Sequence, residues 1–179
     1  MAIGLGKPMI FLGLDFLPAT LGAMSLGFLM RRNFLQVMVV YIILLSAFLI
    51  NPLTLWLVEL PNGVAVPYNW LHVAAIILLT TPFTRKAVGW VIAPSITHLA
   101  RGLVILCFIG TTIQHLTGGV IFELVFGFAL GQIPVEAWPG LWGTLFYIYP
   151  IERIFIVVVS TLIGTAAIKS LRVKLKWAH

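Results

Sequence analysis

Ionisable and amide side chains are concentrated in one short part of an otherwise apolar chain. In residues 111–127, TTIQHLTGGVIFELVFG, a histidine and a glutamate stand among isoleucine, leucine, valine and phenylalanine. Positions four residues apart share one face of a helix, and this spacing joins Thr111, His115, Gly119, Glu123 and Gly127. Lipid cannot satisfy an imidazole or a carboxylate, so this face must look into a helix bundle or a water-filled cavity.

Three further ionisable residues are expected at a similar depth. Asp15 lies near the start of the first apolar stretch, and Glu152 and Arg153 begin the last one. Counting by the helical rise puts Glu123 roughly a dozen angstroms below the outer surface and His115 near the midplane. A buried Asp15 or Glu123 costs least beside Arg153. The sequence therefore predicts an outward-facing polar pocket for a small solute, lined by Asp15, His115, Glu123 and Arg153.

A simpler interpretation gives the same residues a structural role. One ion pair between Arg153 and a carboxylate would hold two helices together, and His115 would hydrogen-bond a neighbouring hydroxyl or carbonyl. Ionisable groups deep in a membrane are costly and usually functional, which favours a pocket for the group as a whole. For any single residue the two interpretations stay open.

Residues that carry metal or catalytic chemistry do not form a recognised motif. His72 and His115 are a pair that would ligate a haem axially, but C-x-x-C, H-E-x-x-H and C-x-x-C-H spacings are absent. Asp15 is the single aspartate, and no serine has a convincing base, so hydrolysis is not expected. No glycine-rich phosphate loop is present, so an ATP-driven role would need a partner subunit. We expect a protein that is not an enzyme, with no cofactor and no metal site.

Composition indicates the environment of these residues. Hydrophobic residues make up 61% of the 179 residues and charged residues 9%, and the mean hydropathy is +1.10. Soluble domains contain about a quarter charged residues, so an integral membrane protein is expected. The formal net charge of +6 comes from Lys and Arg near the ends of apolar stretches. This distribution argues for a role in membrane topology and against nucleic-acid binding.

The apolar stretches predict an all-α, polytopic transmembrane helix bundle that forms a single domain over residues 1–179. A crossing helix needs about 20 apolar residues, which allows five or possibly six crossings. Residues 86–101, interrupted by Pro94, are predicted as an interfacial segment on the inner surface. Residues 132–149, rich in Trp and Tyr, are predicted as an outer loop that lies over the pocket as a lid. The five expected crossings are residues 8–30, 34–51, 68–82, 102–131 and 150–168.

Basic residues predict the orientation of the bundle. Clusters at residues 31–32, 85–101 and 169–176 lie at the predicted inner ends of crossings. Because cytoplasmic loops carry an excess of Lys and Arg, the C-terminus is expected in the cytoplasm and the N-terminus outside. The expected location is the cell membrane, in contact with the lipid bilayer and other membrane subunits.

A stripe of small residues follows the first predicted crossing. Ala19, Ala23 and Gly27 recur every four residues, and such faces let another helix approach closely. The approaching helix belongs either to the same bundle or to a second protein.

The segment ATLGA and the closing segment YPIERIFIVVVSTLIGTAAIKSL carry a family resemblance. With its length and basic ends, the chain resembles the S components of energy-coupling factor transporters, in which an A-x-x-x-A face on the first helix, here Ala19 and Ala23, docks to a scaffold. The closing segment is also similar to the end of uncharacterised archaeal membrane proteins sometimes grouped with that family. S components have six helices with both termini inside, whereas five crossings and an outside N-terminus are predicted here.

The resemblance implies a solute-binding subunit of a transporter. Such a subunit captures a small micronutrient from outside and docks to a partner membrane subunit, here through the face with Ala19, Ala23 and Gly27. The alternative is a non-catalytic accessory subunit of a larger membrane complex, such as a respiratory one. In that case the polar residues only hold helices together.

Overall fold

The computed structural model describes residues 12–177, and their side chains as far as residue 172. It is mostly helical (78%), as the apolar periodicity predicted. The predicted start of the first crossing at Pro8 lies outside the described residues. The helices are α1 Leu17–Met30, α2 Phe34–Ile50, α3 Trp70–Thr80, α4 Pro82–Ile92, α5 Ile96–Phe122 and α6 Trp138–Trp177, with a π-helical turn Glu123–Ala129 after α5 and a 3-10 turn Val135–Ala137 before α6.

Helix α5 is the centre of the molecule and packs against every other α-helix. Two glycines permit close approach between α5 and its neighbours. A Cβ at Gly102 would lie 2.6 Å from the carbonyl oxygen of Ala87 in α4. A Cβ at Gly22 of α1 would lie 3.1 Å from the carbonyl oxygen of Gly110. The polar face of α5 is therefore enclosed by neighbouring helices over much of its length.

The region predicted as an interfacial segment divides between two helices. Helices α3 and α4 meet at an angle of 72°, and Pro82 begins α4 because proline fits the first helical turn but cannot continue the preceding helix. Helix α4 buries Thr84, Ala87, Val88 and Val91. Helix α5 then begins at Ile96, six residues before the predicted start, with Ser95 as its N-cap.

A two-stranded hairpin lies between α2 and α3. Strand β1, Leu57–Glu59, pairs antiparallel with β2, Ala65–Pro67, and Val58 lies opposite Val66. Gly63 takes a φ of +78° in the connecting turn, a conformation that glycine adopts without strain.

The predicted aromatic loop and lid are wrong, because residues 138–149 form the first part of α6. Trp138, Trp142, Phe146 and Tyr149 recur every three or four residues and are buried in the core, which places them on one face of a helix. Pro150 lies inside α6 and does not end it. The helix therefore starts twelve residues before the predicted crossing.

Two helical segments among the described residues are long and apolar enough to cross a membrane, Ile96–Ala129 and Val135–Arg172. The bent pair α3 and α4 would make a third. Helices α1 and α2 are apolar but have 14 and 17 residues, or about 21 and 26 Å at the helical rise. These helices indicate a membrane protein, while helix length alone assigns two or three crossings against the predicted five or six.

Candidate functional site: a polar cleft between three helices

A cleft of about 410 Å³ lies between α1, α5 and α6. Its polar lining comes from Gln114 and His115 of α5 and from Glu152 and Arg153 of α6. The remaining lining residues are apolar or small: Pro18, Gly118, Gly119, Phe122, Trp142 and Leu145. The cleft thus presents a cation, a carboxylate, an amide and an imidazole beside an aromatic wall.

Arg153 is the cationic group of the cleft and joins α6 to α5. It is 6% exposed. Its Nη1 donates to the backbone oxygen of Thr111 at 3.2 Å and to Thr111 Oγ1 at 3.0 Å. Its Nη2 pairs with Oε1 of Glu152 at 2.5 Å, and the Glu152 side chain is 51% exposed. One carboxylate that partly faces out of the protein therefore balances a guanidinium that is nearly buried.

Two imidazoles from different helices are hydrogen-bonded behind the cleft. His72 Nε2 of α3 and His115 Nδ1 of α5 are 3.1 Å apart, and the rings stack with centroids 5.2 Å apart. The Tyr149 ring stacks on His115 at 4.7 Å. Ligation of one haem iron from opposite sides would separate the two nitrogens by about 4 Å. The observed pair is a direct hydrogen bond and does not have that geometry.

Tyr149 connects the imidazole pair to the turn before α3. Its hydroxyl donates to the backbone oxygen of Tyr68 at 3.0 Å, and the two rings lie 5.5 Å apart. Burial raises the pKa of the Tyr68 phenol above its ordinary value, so this group stays neutral. The rings of His72, His115, Tyr149 and Tyr68 thus form a stacked layer at the back of the cleft.

Glu123 is fully buried but lies outside the cleft lining. Its Oε1 is 2.6 Å from Thr54 Oγ1, in the segment after α2, and its Oε2 has no hydrogen-bond partner among the described residues. Glu123 begins the π-helical turn at the end of α5, and such turns often occur at functional sites.

The structure brings together only part of the predicted constellation. His115 and Arg153 share the cleft, whereas Glu123 contacts Thr54. Asp15 is exposed in the turn before α1 and is not among the cleft residues. The predicted pairing of Arg153 with Asp15 or Glu123 is replaced by contacts to Thr111 and Glu152, because the rotation of α6 turns Arg153 toward the middle of α5.

The small face of α1 points away from the bundle. Ala19, Ala23 and Gly27 are exposed, and a Cβ at Gly27 would meet nothing within 4 Å. The side of α1 that packs on α5 instead carries Gly22, Ser25 and Leu29. The predicted docking stripe is therefore not used for packing among the described helices.

Several residues around the cleft were not predicted from the sequence. Gln114 and Trp142 line it, and Tyr149 and Thr54 hold neighbouring groups. Glu152 was expected at the depth of the pocket but not in its lining, and it lies there beside Arg153. One signal was present in the sequence: Trp138, Trp142, Tyr149 and Arg153 share a helical face if residues 138–153 are read as a helix. Nothing in the sequence points to Thr54.

Metal ligands and known relatives give no further assignment. Among the residues that the structure describes, no group of three or more His, Cys, Asp or Glu side chains could hold a metal ion. Comparison of the chain with protein-family models, with curated proteins and with solved structures finds no match. The residues of the cleft are therefore the basis on which a function can be assigned.

Proposed function

We propose that this chain is the membrane-embedded solute-binding subunit of a transporter. It captures a small micronutrient from outside in the cleft between α1, α5 and α6 and passes it on by docking to a partner membrane subunit. The proposal describes a binding role and no catalysis. The observation that carries it is the cleft itself, in which Arg153, Glu152, His115 and Gln114 converge.

The size and the lining of the cleft support a small-molecule ligand. Its volume of about 410 Å³ falls in the range of ligand sites, roughly 300–1,000 Å³, which are mostly apolar with a few convergent polar groups. An anionic group of the solute would take the place of Glu152 beside Arg153, and an apolar part would lie against Phe122 and Trp142. Glu152 is half-exposed, and an anionic group that replaced it would keep the nearly buried guanidinium of Arg153 paired.

The outward face of α1 supports docking to another subunit. Ala19, Ala23 and Gly27 leave a surface without bulky side chains, and such surfaces allow close contact between helices in a membrane. A scaffold subunit with ATPase partners is the expected occupant. The docking face lies on the same helix as Pro18, which lines the cleft.

We further propose a multi-pass topology in the cell membrane with a cytoplasmic C-terminus. Its support is the distribution of basic residues, which follows the positive-inside pattern. With α1, α2, the bent pair, α5 and α6 each counted as one crossing, the total is five. The basic residues concerned are Arg31, Arg32, Arg85, Lys86, Arg101, Lys169 and Arg172.

A second candidate is an accessory subunit of a larger membrane complex. Helix α6 favours it, because only 11% of its most apolar 18-residue stretch is buried inside this chain. The corresponding share for the segment that contains α5 is 44%. A helix so little covered needs lipid or another protein around it. In this case the cleft residues hold α5 and α6 together and bind no solute.

One purification separates these candidates. The protein is isolated in mild detergent, bound small molecules are identified by mass spectrometry, and the co-purified subunits are identified as well. We expect a bound solute and paired ATPases for the parent. Redox subunits without a solute would favour the accessory role.

Matched variants test whether the cleft holds the solute. We expect Arg153→Leu to lower the bound solute at least tenfold, as loss of a charged contact of about 1.5–3 kcal/mol implies. Glu152→Gln is a second cleft variant, and Glu136→Gln, exposed in the 3-10 turn, is its control. A folded Arg153→Leu protein that carries as much solute as the parent would remove the cleft from consideration.

A further inference from the structure

The hydroxyl of Thr54 makes short contacts to two oxygen atoms. Oγ1 lies 2.5 Å from the backbone oxygen of Phe48 and 2.6 Å from Oε1 of Glu123. A hydroxyl has one hydrogen to donate and two lone pairs, so it forms one full-strength donor bond. The Phe48 oxygen is a carbonyl and can only accept. If both contacts are hydrogen bonds, the second hydrogen comes from Glu123.

The burial of Glu123 also favours a neutral carboxyl group. The residue is 0% exposed, and no described residue forms a salt bridge with it. Tyr68, from the turn before α3, is a titratable group that faces it, and the indole N–H of Trp142, which also lies near the carboxyl group, is bonded to the Leu53 oxygen at 3.0 Å. An isolated buried carboxylate would be far more costly than the protonated acid.

We propose that Glu123 is a proton-binding site. The protonated carboxyl donates to Thr54 Oγ1, and Thr54 donates to the backbone oxygen of Phe48. The proton thus completes a chain of two hydrogen bonds that joins the end of α5 to the end of α2. This site is separate from the solute cleft, because neither Glu123 nor Thr54 lines it.

The proton holds the segment 51–55 in place. This segment leads from α2 into the hairpin, and it is held on two further sides: Trp142 donates to its Leu53 oxygen, and the Leu53 side chain occupies the space where Gly127 lacks a Cβ. When the proton leaves to water, the Thr54 hydroxyl has one hydrogen for two acceptors, the Glu123 carboxylate and the backbone oxygen of Phe48. One of the two hydrogen bonds that join the segment to the ends of α5 and α2 is then lost as the pH rises.

Infrared spectroscopy tests the protonation directly. At about pH 7 exposed carboxyl groups are ionised, so the C=O stretching band of a protonated carboxylic acid in the purified protein would come from a buried group. We expect this band in the parent, its loss in Glu123→Gln, and no change in the exposed control Glu136→Gln. Helicity by circular dichroism verifies that each variant is folded.

A second variant keeps the carboxyl group and removes its acceptor. Thr54→Val should shift the same band to higher frequency, because the acid loses its hydrogen bond. This result is informative even if Glu123→Gln does not fold. Absence of the band from the parent, or the same band in the parent and both variants, would overturn the proposal.

Hydrogen exchange tests the effect on the segment. Exchange of the peptide that covers residues 51–67 is compared between the parent and Glu123→Gln at each pH, so that the intrinsic pH dependence of exchange cancels. The exchange rate of the parent divided by that of Glu123→Gln should be near one at acidic pH. It should rise severalfold at alkaline pH, where the parent loses its proton. A ratio that stays constant with pH would contradict the release of the segment.

Discussion

Tyr149 and Arg153 lie one helical turn apart on α6 and hold it against two different elements. Tyr149 donates to the backbone oxygen of Tyr68, and Arg153 donates to Thr111. Tyr68 and Thr111 are both buried, and a buried polar group that loses its partner costs more than the average hydrogen bond contributes. The geometry at the back of the cleft therefore depends on single hydrogen bonds.

Tyr149→Phe tests one of these bonds. The change removes the hydroxyl and keeps the ring stacked on His115, so we expect a loss of about 1–2 kcal/mol in the free energy of unfolding. Unfolding in detergent provides the measurement. Tyr147→Phe is the matched control, because Tyr147 is exposed on the same helix and should change little. Equal stability of both variants would mean that the Tyr149 bond contributes nothing.

At the scale of elements, the junction between α4 and α5 depends on glycine. Gly102 faces the backbone of α4 at Ala87 and the side chain of Val91. Protein interiors are close-packed, so a methyl group added at such a contact forces the backbone to move. The bend of 72° between α3 and α4 places α4 along α5, and the absence of a Cβ at Gly102 permits the contact.

A pair of alanine substitutions tests this packing. Gly102→Ala puts a Cβ within 2.6 Å of a backbone oxygen, and we expect it to destabilise the protein by about 1–3 kcal/mol. Gly89→Ala on α4 is the control, because a Cβ there meets nothing within 4 Å. It should stabilise the helix by up to about 1 kcal/mol, because alanine restricts the unfolded chain more than glycine does. Thermal unfolding should show a lower stability for Gly102→Ala and a higher stability for Gly89→Ala. A Gly102→Ala protein as stable as the parent would refute the close contact.

A second pair of substitutions tests the outward and the inward face of α1 independently. Ala23→Leu changes an exposed residue and should leave the isolated subunit as stable as the parent while lowering the yield of co-purified partner subunits. Gly22→Leu is the inward counterpart, next to the Gly110 oxygen, and should lower the thermal unfolding temperature of the isolated subunit. Normal partner recovery with Ala23→Leu would argue against docking through this face.

At the scale of the whole molecule, α6 is the longest helix among the described residues, and its length can be compared with the thickness of a membrane. From Glu136 to Lys169 the chain rises by about 50 Å as a helix, which exceeds the hydrocarbon thickness of about 30 Å. If α6 crosses the membrane, these two exposed residues lie on opposite sides of it. The aromatic residues at its start and the basic residues at its end match the two interfaces of a bilayer.

Cysteine labelling tests this crossing. In a Cys107→Ala background, which removes the single cysteine, a membrane-impermeant thiol reagent added to intact cells should label Glu136→Cys. Lys169→Cys should react only after the membrane is permeabilised, because basic ends face the cytoplasm. Labelling of both from the outside would exclude the proposed orientation.

The sequence by itself determined the environment, the helices and the polar face of α5. These properties depend on composition and local periodicity, which a single sequence contains. The apolar runs predicted helices, and α2 ends at Ile50, within one residue of the predicted end. The four-residue spacing placed His115 and Glu123 on a buried face. The start of α6 was missed because Trp-rich residues and Pro150 are also typical of an interfacial loop.

Only the tertiary structure decided which polar groups meet. Arg153 contacts Thr111 and Glu152, His72 contacts His115, and Glu123 contacts Thr54. Apart from Arg153 and Glu152, these pairs join residues far apart in the chain, and they depend on which helices are neighbours and how each is rotated about its axis. Hydropathy specifies that a polar group must be covered, but many partners satisfy that requirement equally well. Packing of whole helices selects one partner among them.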